Sequence, residues 1–179
     1  MRCFLGIDAG TSGIKAIVID ESGKVRGMGY RECDIITPQP GWVEQAPENW
    51  WQACSEAAAQ AVSAAQCGKD VAGIGFSGQM QGCTLMDRNL EPIGNSLIWI
   101  DQRAGRETAE IEAMTDGAEM LKITANSCLN SFWAPKLLWL RKNRPADFDR
   151  AYKVLFTKDY LRYKMTGEIA TDVSDASLS

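Results

Sequence analysis

The 179-residue chain has no histidine. That absence removes Ser-His-Asp and Cys-His catalysis and every zinc site that needs imidazole. A general base has to be a carboxylate, Lys, Tyr or Cys, or lie outside these residues. No apolar run is long enough for a transmembrane helix. There is no CxxC spacing among Cys3, Cys33, Cys54, Cys67, Cys83 and Cys128, so the thiols do not read as a zinc or dithiol motif. The apolar stretch at the N-terminus is too short for a signal peptide and is interrupted by Asp8. The expectation is reduced thiols in a cytoplasmic protein. Basic excess is missing too: 19 Lys+Arg stand against 23 Asp+Glu, a net charge of −4, which argues against nucleic-acid or anionic-membrane partners. At 45% apolar and 23% charged residues the chain has a globular composition, which excludes wholesale disorder. It shows no internal repeat or low-complexity tract.

What is present reads as an α/β domain with a mixed sheet. Cys3–Asp8, Ile14–Asp20 and Val25–Cys33 are three short strands joined by tight turns, hence an antiparallel N-terminal meander. A helix is predicted from Pro47 to a stop at Gly68, with Trp51, Cys54, Ala58, Ala61 and Ala65 on one face. Val71–Ser77 reads as a strand buried on both faces. Further strands are expected at Thr84–Asp87, Leu97–Asp101 and Val154–Phe156, and helices near 103–115 and 135–143. Thr157 is a candidate cap for a helix that Gly167 ends.

The sharpest motif is Gly6-Ile7-Asp8-Ala9-Gly10-Thr11-Ser12-Gly13-Ile14-Lys15, which reads either as a phosphate-binding turn or as an ordinary Gly-rich hairpin with a solvated Asp8. A strand delivers Asp8 to its end, and a Gly-rich turn follows in which main-chain N–H groups can approach an anion. Thr11 and Ser12 add hydroxyls and Lys15 a cation. A carboxylate beside phosphate donors is consistent only if a divalent ion separates them, so the pattern predicts nucleotide with Mg²⁺ and Asp8 as the metal-associated residue. No Walker motif occurs. Gly73-Ile74-Gly75-Phe76-Ser77-Gly78 matches the dinucleotide fingerprint but lies within an apolar run, where that fingerprint does not function. The polar segment Gly78-Gln79-Met80-Gln81-Gly82 follows a strand and suits a hydroxyl-rich ligand, or is an ordinary turn. Asp101-Gln102-Arg103 could face a pocket or cap a helix. Asp172 and Asp175 read as caps rather than a catalytic pair. The tryptophans read as core or interface rather than ligand stackers, with Phe132 and Trp133 the exceptions before Pro135.

These segments, with PGWVEQAPENWW at 40–51, APKLLWL at 134–140 and KDYLRYKMTGEIATDVSDAS at 158–177, resemble the N-terminal domain of the FGGY family of carbohydrate kinases, most closely its xylulokinase members. The resemblance implies an actin-like, ribonuclease-H-like fold with a mixed sheet flanked by helices, and an enzyme that transfers the ATP γ-phosphoryl to a sugar hydroxyl with Mg²⁺. It implies that Gly10, Thr11, Ser12 and Lys15 bind phosphate, that Asp8 associates with the metal, and that Met80 and Gln81 contact the sugar. Asp101 and Arg103 are carried as further substrate-binding candidates. Xylulokinases usually place His after that Met; Gln81 can hydrogen-bond a hydroxyl but cannot become cationic, so ribulose or another ketose or polyol stays open beside D-xylulose. The expected partner is a small-molecule sugar, with a homodimer left open.

Residues 1–179 read as an incomplete N-terminal domain, with the catalytic aspartate and the adenine-binding second domain beyond them. The alternatives are a sugar-binding or regulatory module with a degenerate phosphate turn, or another ATPase of the same superfold. On the kinase reading, residues 1–179 alone phosphorylate no sugar, which a coupled ADP-release assay checks.

Overall fold

The structure is a computed structural model and describes residues 2–177. The meander forms: β1 (Cys3–Ala9), β2 (Gly13–Asp20) and β3 (Val25–Glu32) pair antiparallel in sequence order. After the two-residue β4 (Glu44–Gln45), α1 (Pro47–Ala65) crosses over, and β5 (Val71–Gly78) returns parallel to β1. The result is a four-stranded mixed sheet ordered β3-β2-β1-β5. The remainder is β6 (Thr84–Met86), β7 (Ser96–Leu97), α2 (Gly105–Met114), α3 (Gly117–Thr124), α4 (Trp133–Asn143), α5 (Pro145–Arg150), β8 (Lys153–Leu155), α6 (Thr157–Thr166) and the short α7 (Val173–Ala176). Two small antiparallel ladders organise this second half: β6 pairs with β8 within it, and β7 pairs with β4 to join it to the first. No helix among the described residues is long and apolar enough to cross a membrane.

Period-two alternation gives the sheet two unlike faces. Leu5, Ile7, Ala9, Ile14, Ala16 and Val18 are buried in the main core with α1. On the other face Phe4, Asp8, Lys15, Met28, Tyr30 and Ser77 are exposed, so the flanking helices α1 and α6 cover one side of the sheet among the described residues. Helix α1 meets the sheet through small residues. A Cβ on Gly29 would lie 2.1 Å from the Ala57 carbonyl oxygen, and one on Gly27 2.2 Å from that of Ala61. The helix backbone therefore rests directly on β3, which larger residues would prevent.

Several expectations are corrected. β5 is not buried on both faces; it is an edge of the sheet described here, and its Ile74 is 49% exposed. Helix α1 ends at Ala65, with Gln66 rather than Gly68 in the left-handed C-cap conformation (φ +53°). The strand predicted at Leu97–Asp101 shrinks to β7, because the chain turns where Asp101 N–H donates to the Ile98 carbonyl. Thr157 is the first residue of α6, and its buried hydroxyl makes no cap. Asp172 does cap α7, accepting from the N–H groups of Ser174 and Asp175. All six cysteines are free and buried; burial pushes the Cys33 and Cys54 thiols up to about 11, which leaves them unreactive.

Gly29→Ala is expected to cost about 3 kcal/mol or more, because a backbone oxygen cannot yield as a side chain does. Urea unfolding monitored by tryptophan fluorescence measures it.

Candidate functional site

The register of β1 places Asp8 directly between Lys15 on β2 and Ser77 on β5. All three lie on the open face, so the carboxylate looks out over an uncovered part of the sheet, beside a groove that these residues line with Gly6, Ile17 and Gly75. The turn Gly10–Gly13 leaves the end of β1, with Ser12 exposed. Gly13 serves packing rather than ligand approach: a Cβ there would sit 2.4 Å from Tyr30 Oη, which itself donates to the Ser12 carbonyl (3.2 Å).

The second arm of the site leaves the end of the neighbouring strand. Gln79 N–H donates to the Ala9 carbonyl (2.8 Å), so the segment after β5 starts alongside the turn after β1. Gly10, Thr11, Gln79, Met80, Gln81 and Trp99 together line a groove of about 400 Å³. Thr11 Oγ1 donates to Gln79 Oε1 (3.3 Å) and accepts from Trp99 Nε1 (2.8 Å). Behind them lies Gln45, buried. Its Nε2 donates to the carbonyls of Thr11 (2.8 Å) and Asp34 (3.2 Å), and its Oε1 accepts from Trp50 Nε1 (3.1 Å) and Gln79 Nε2 (2.8 Å). The Gln81 carboxamide has no hydrogen-bond partner among the described residues and borders the groove.

Asp101 and Arg103 are elsewhere. Both side chains are fully buried. Arg103 binds Asp101 through Nε and Nη2 (2.8–2.9 Å), pairs with Glu44 (2.9 Å), and lies 4.1 Å over Trp42 and 5.1 Å from Trp139. Asp101 also accepts the Val43 N–H (2.6 Å). With two carboxylates and two indole rings around the guanidinium, neither side chain lines the groove, and the pair reads as a structural clasp between the segment at 42–45 and α4. Trp133, flagged as an exception among the tryptophans, stacks on Phe156 (3.8 Å, 17°) and donates to the Gly82 carbonyl (2.8 Å). Phe132 is buried.

Sequence reasoning missed Trp99, Gln45 and Lys136. Trp99 is 46% exposed at the groove, and a large aromatic two residues before Asp101 was its one local signal. Gln45 follows Glu44 in a polar pair that no periodicity marks as buried. Lys136, in the first turn of α4, is fully buried: its ammonium donates to the carbonyls of Gln81 (2.8 Å), Ile98 (3.1 Å) and Leu97 (3.2 Å). Desolvation pulls its pKa down to about 8, with Cys83 and Asp101 opposing the shift and Arg103 adding to it. Its one signal in the sequence is its place in APKLLWL, a segment that carries the family likeness; nothing local marks it as buried.

Matched against known proteins, residues 3–179 fit the model of the FGGY family of carbohydrate kinases, N-terminal domain. The chain belongs to the FGGY family. It is 41% identical to the xylulose kinase of Klebsiella pneumoniae over 174 residues, covering 97% of this chain and 35% of that protein. The crystal structure of a xyloylose kinase from Brucella ovis superposes with a TM-score of 0.92 at 40% identity, over 99% of this chain and 37% of the other. That of xylulose kinase from Rhodospirillum rubrum gives 0.94 at 29% identity, over 98% and 36%. The family member described here thus spans about a third of the length of the curated relatives it matches, and its fold is the actin-like one of the family.

Among the described residues no three or more His, Cys, Asp or Glu side chains come together to hold a metal. Asp8 offers one exposed carboxylate. That donor set fits Mg²⁺, which commonly takes one or two carboxylates and completes its shell with substrate phosphates and water, and does not fit an ion caged by protein alone.

Arg103→Leu is expected to lower unfolding stability by about 3–5 kcal/mol, since it strands the Asp101 and Glu44 carboxylates in the interior. Chemical denaturation measures the loss. A variant as stable as the parent, with only its sugar affinity reduced, would return Arg103 to the substrate site.

Proposed function

We propose that the full-length protein is an ATP-dependent kinase that phosphorylates a hydroxyl of a ketopentose such as D-xylulose, and that residues 1–179 belong to its N-terminal domain. The observation that carries this reading is the Thr11–Gln79 hydrogen bond. It joins a phosphate-type turn to an amide-bearing segment within one groove, as transfer from nucleotide to sugar requires. The curated relatives named xylulose kinase support the same substrate class.

On this reading the main chain of Gly10, Thr11 and Ser12, with the Ser12 hydroxyl, receives the phosphates, and Lys15 adds positive charge from the adjacent strand. Asp8 holds Mg²⁺ directly or through water; the bound ion would neutralise charge on the phosphates. Met80 gives the sugar an apolar contact, and Gln81 offers both a donor and an acceptor to its hydroxyls. Trp99, with its indole N–H already engaged by Thr11, has its ring free to lie against the sugar's C–H surface. The work of these residues is positioning: they bring the acceptor oxygen in line with the γ-phosphorus, while the proton acceptor lies beyond residue 179.

Asp8→Ala in the full-length enzyme is expected to reduce ketose-dependent ADP release by about 100-fold, the scale of losing one electrostatic element. Unchanged turnover would remove the role given to Asp8. Sugar binding that ignores Mg·ATP in calorimetry would favour a binding module instead.

A further inference from the structure

Burying an ammonium without a carboxylate partner is costly, because its hydration must be replaced in full. Lys136 is such a group: among the described residues it makes no ion pair, and the charged groups whose fields it feels, Asp101 and Arg103, are of opposite sign and bind each other. The third group facing it, Cys83, stays neutral because burial pushes its thiol up to about 12. What Lys136 has instead is three carbonyls, and they are not equivalent. The Leu97 carbonyl also accepts the Cys83 N–H (3.0 Å), and the Ile98 carbonyl also accepts the Asp101 N–H (3.1 Å). The Gln81 carbonyl accepts from Lys136 and, among the described residues, from no other group.

Gln81 is also one of four non-glycine residues, among those described, in the left-handed region, at φ +65°, a conformation that L side chains hold only when their surroundings impose it. The next carbonyl, that of Gly82, is held by Trp133 Nε1. Gly82 itself is pressed against α6, where a Cβ would lie 2.6 Å from Thr157 Oγ1. Trp133 and Lys136 stand three apart in α4 and so share a face. One helix turn therefore grips two consecutive peptide units of the segment that lines the groove.

We propose that Lys136 is a positioning residue for the sugar site: by holding the Gln81 carbonyl from behind the groove it keeps the left-handed bend that aims Met80 and Gln81 at the substrate. This rests on the sugar-kinase reading above. The nearly isosteric methionine would fill the same space without a buried charge, so a purely space-filling role gives no reason for the ammonium.

The test is Lys136→Met in the full-length enzyme. The sugar KM is expected to rise at least 10-fold while the ATP KM stays within 2-fold, and hydrogen exchange at the Cys83 amide, which donates to the Leu97 carbonyl that Lys136 also holds, is expected to quicken. In a Gln81→Ala background the same change should raise the sugar KM by less than it does in the parent, because one of the two groups it aims is gone. For the unmodified enzyme, sugar KM should climb as pH passes about 8, since a neutral amine has two donors for three carbonyls. In Lys136→Met that rise disappears. An unchanged sugar KM, a loss that adds fully to that of Gln81→Ala, or an equal loss in every kinetic parameter overturns the proposal. If Lys136→Met does not fold, a wild-type sugar KM that is flat from pH 7 to 9.5 overturns it. A wild-type protein that phosphorylates no ketose refutes the kinase reading instead; exchange at the Cys83 amide in Lys136→Met then still decides whether Lys136 holds the segment.

Discussion

The Gln45 carboxamide faces an indole that can only donate and two main-chain carbonyls that can only accept, which leaves it one orientation. Its Oε1 turns to Trp50 and its Nε2 to Thr11 and Asp34. Gln79 must then present its own Nε2 to Gln45, and its Oε1 is left for the Thr11 hydroxyl. Thr11 spends its proton there and receives the Trp99 indole N–H on a lone pair. Two tryptophans thus set every donor direction between the core and the groove. The turn after β1 and the segment after β5 are locked to each other before any ligand arrives, and the Thr11 hydroxyl is not a spare donor while Gln79 holds it.

That lock works because the sheet separates its tasks by face. Small residues on α1 and glycines on β3 let helix and sheet backbones touch, so one face is spent on packing. The opposite face inherits the alternate residues of each strand, and those include Asp8, Lys15 and Ser77. A one-residue slip of β1 would turn Asp8 into the core and Ile7 outward. Hydrophobic burial at Leu5, Ile7 and Ala9 is therefore what points the carboxylate into the open.

The two buried cations are handled in different ways. Arg103 is planar and delocalised and fits a cage of two carboxylates and two indole rings, which suits a permanent clasp. Lys136 is a compact point charge with three rotatable donors, which suits gathering carbonyls from separate segments. The carboxylates at Asp172 and Asp175 end up spent as well: both pair with Lys158, and that contact holds the Asp172 carboxyl well below the usual range.

The sequence by itself determined the N-terminal meander, the existence of α1 and α6, the extended run at Val71–Ser77 and the placing of Asp8 at a strand end. Each follows from periodicity or turn chemistry within a dozen residues, and the alternation of β1 already assigns Asp8 and Ile7 to opposite faces. It also carried the family likeness, because motifs in a fixed order are legible without coordinates. Only the tertiary structure decided what the polar residues of the second half do. Asp101 and Arg103 look like groove residues when read as a strand-end triplet, yet Glu44 and Trp42, some sixty residues earlier in the chain, close around them. Gln45 meets Gln79, and Lys136 meets Gln81, across separations that no local pattern records. A polar side chain's role depends on which donors and acceptors fold against it, and that pairing is fixed only when distant segments meet.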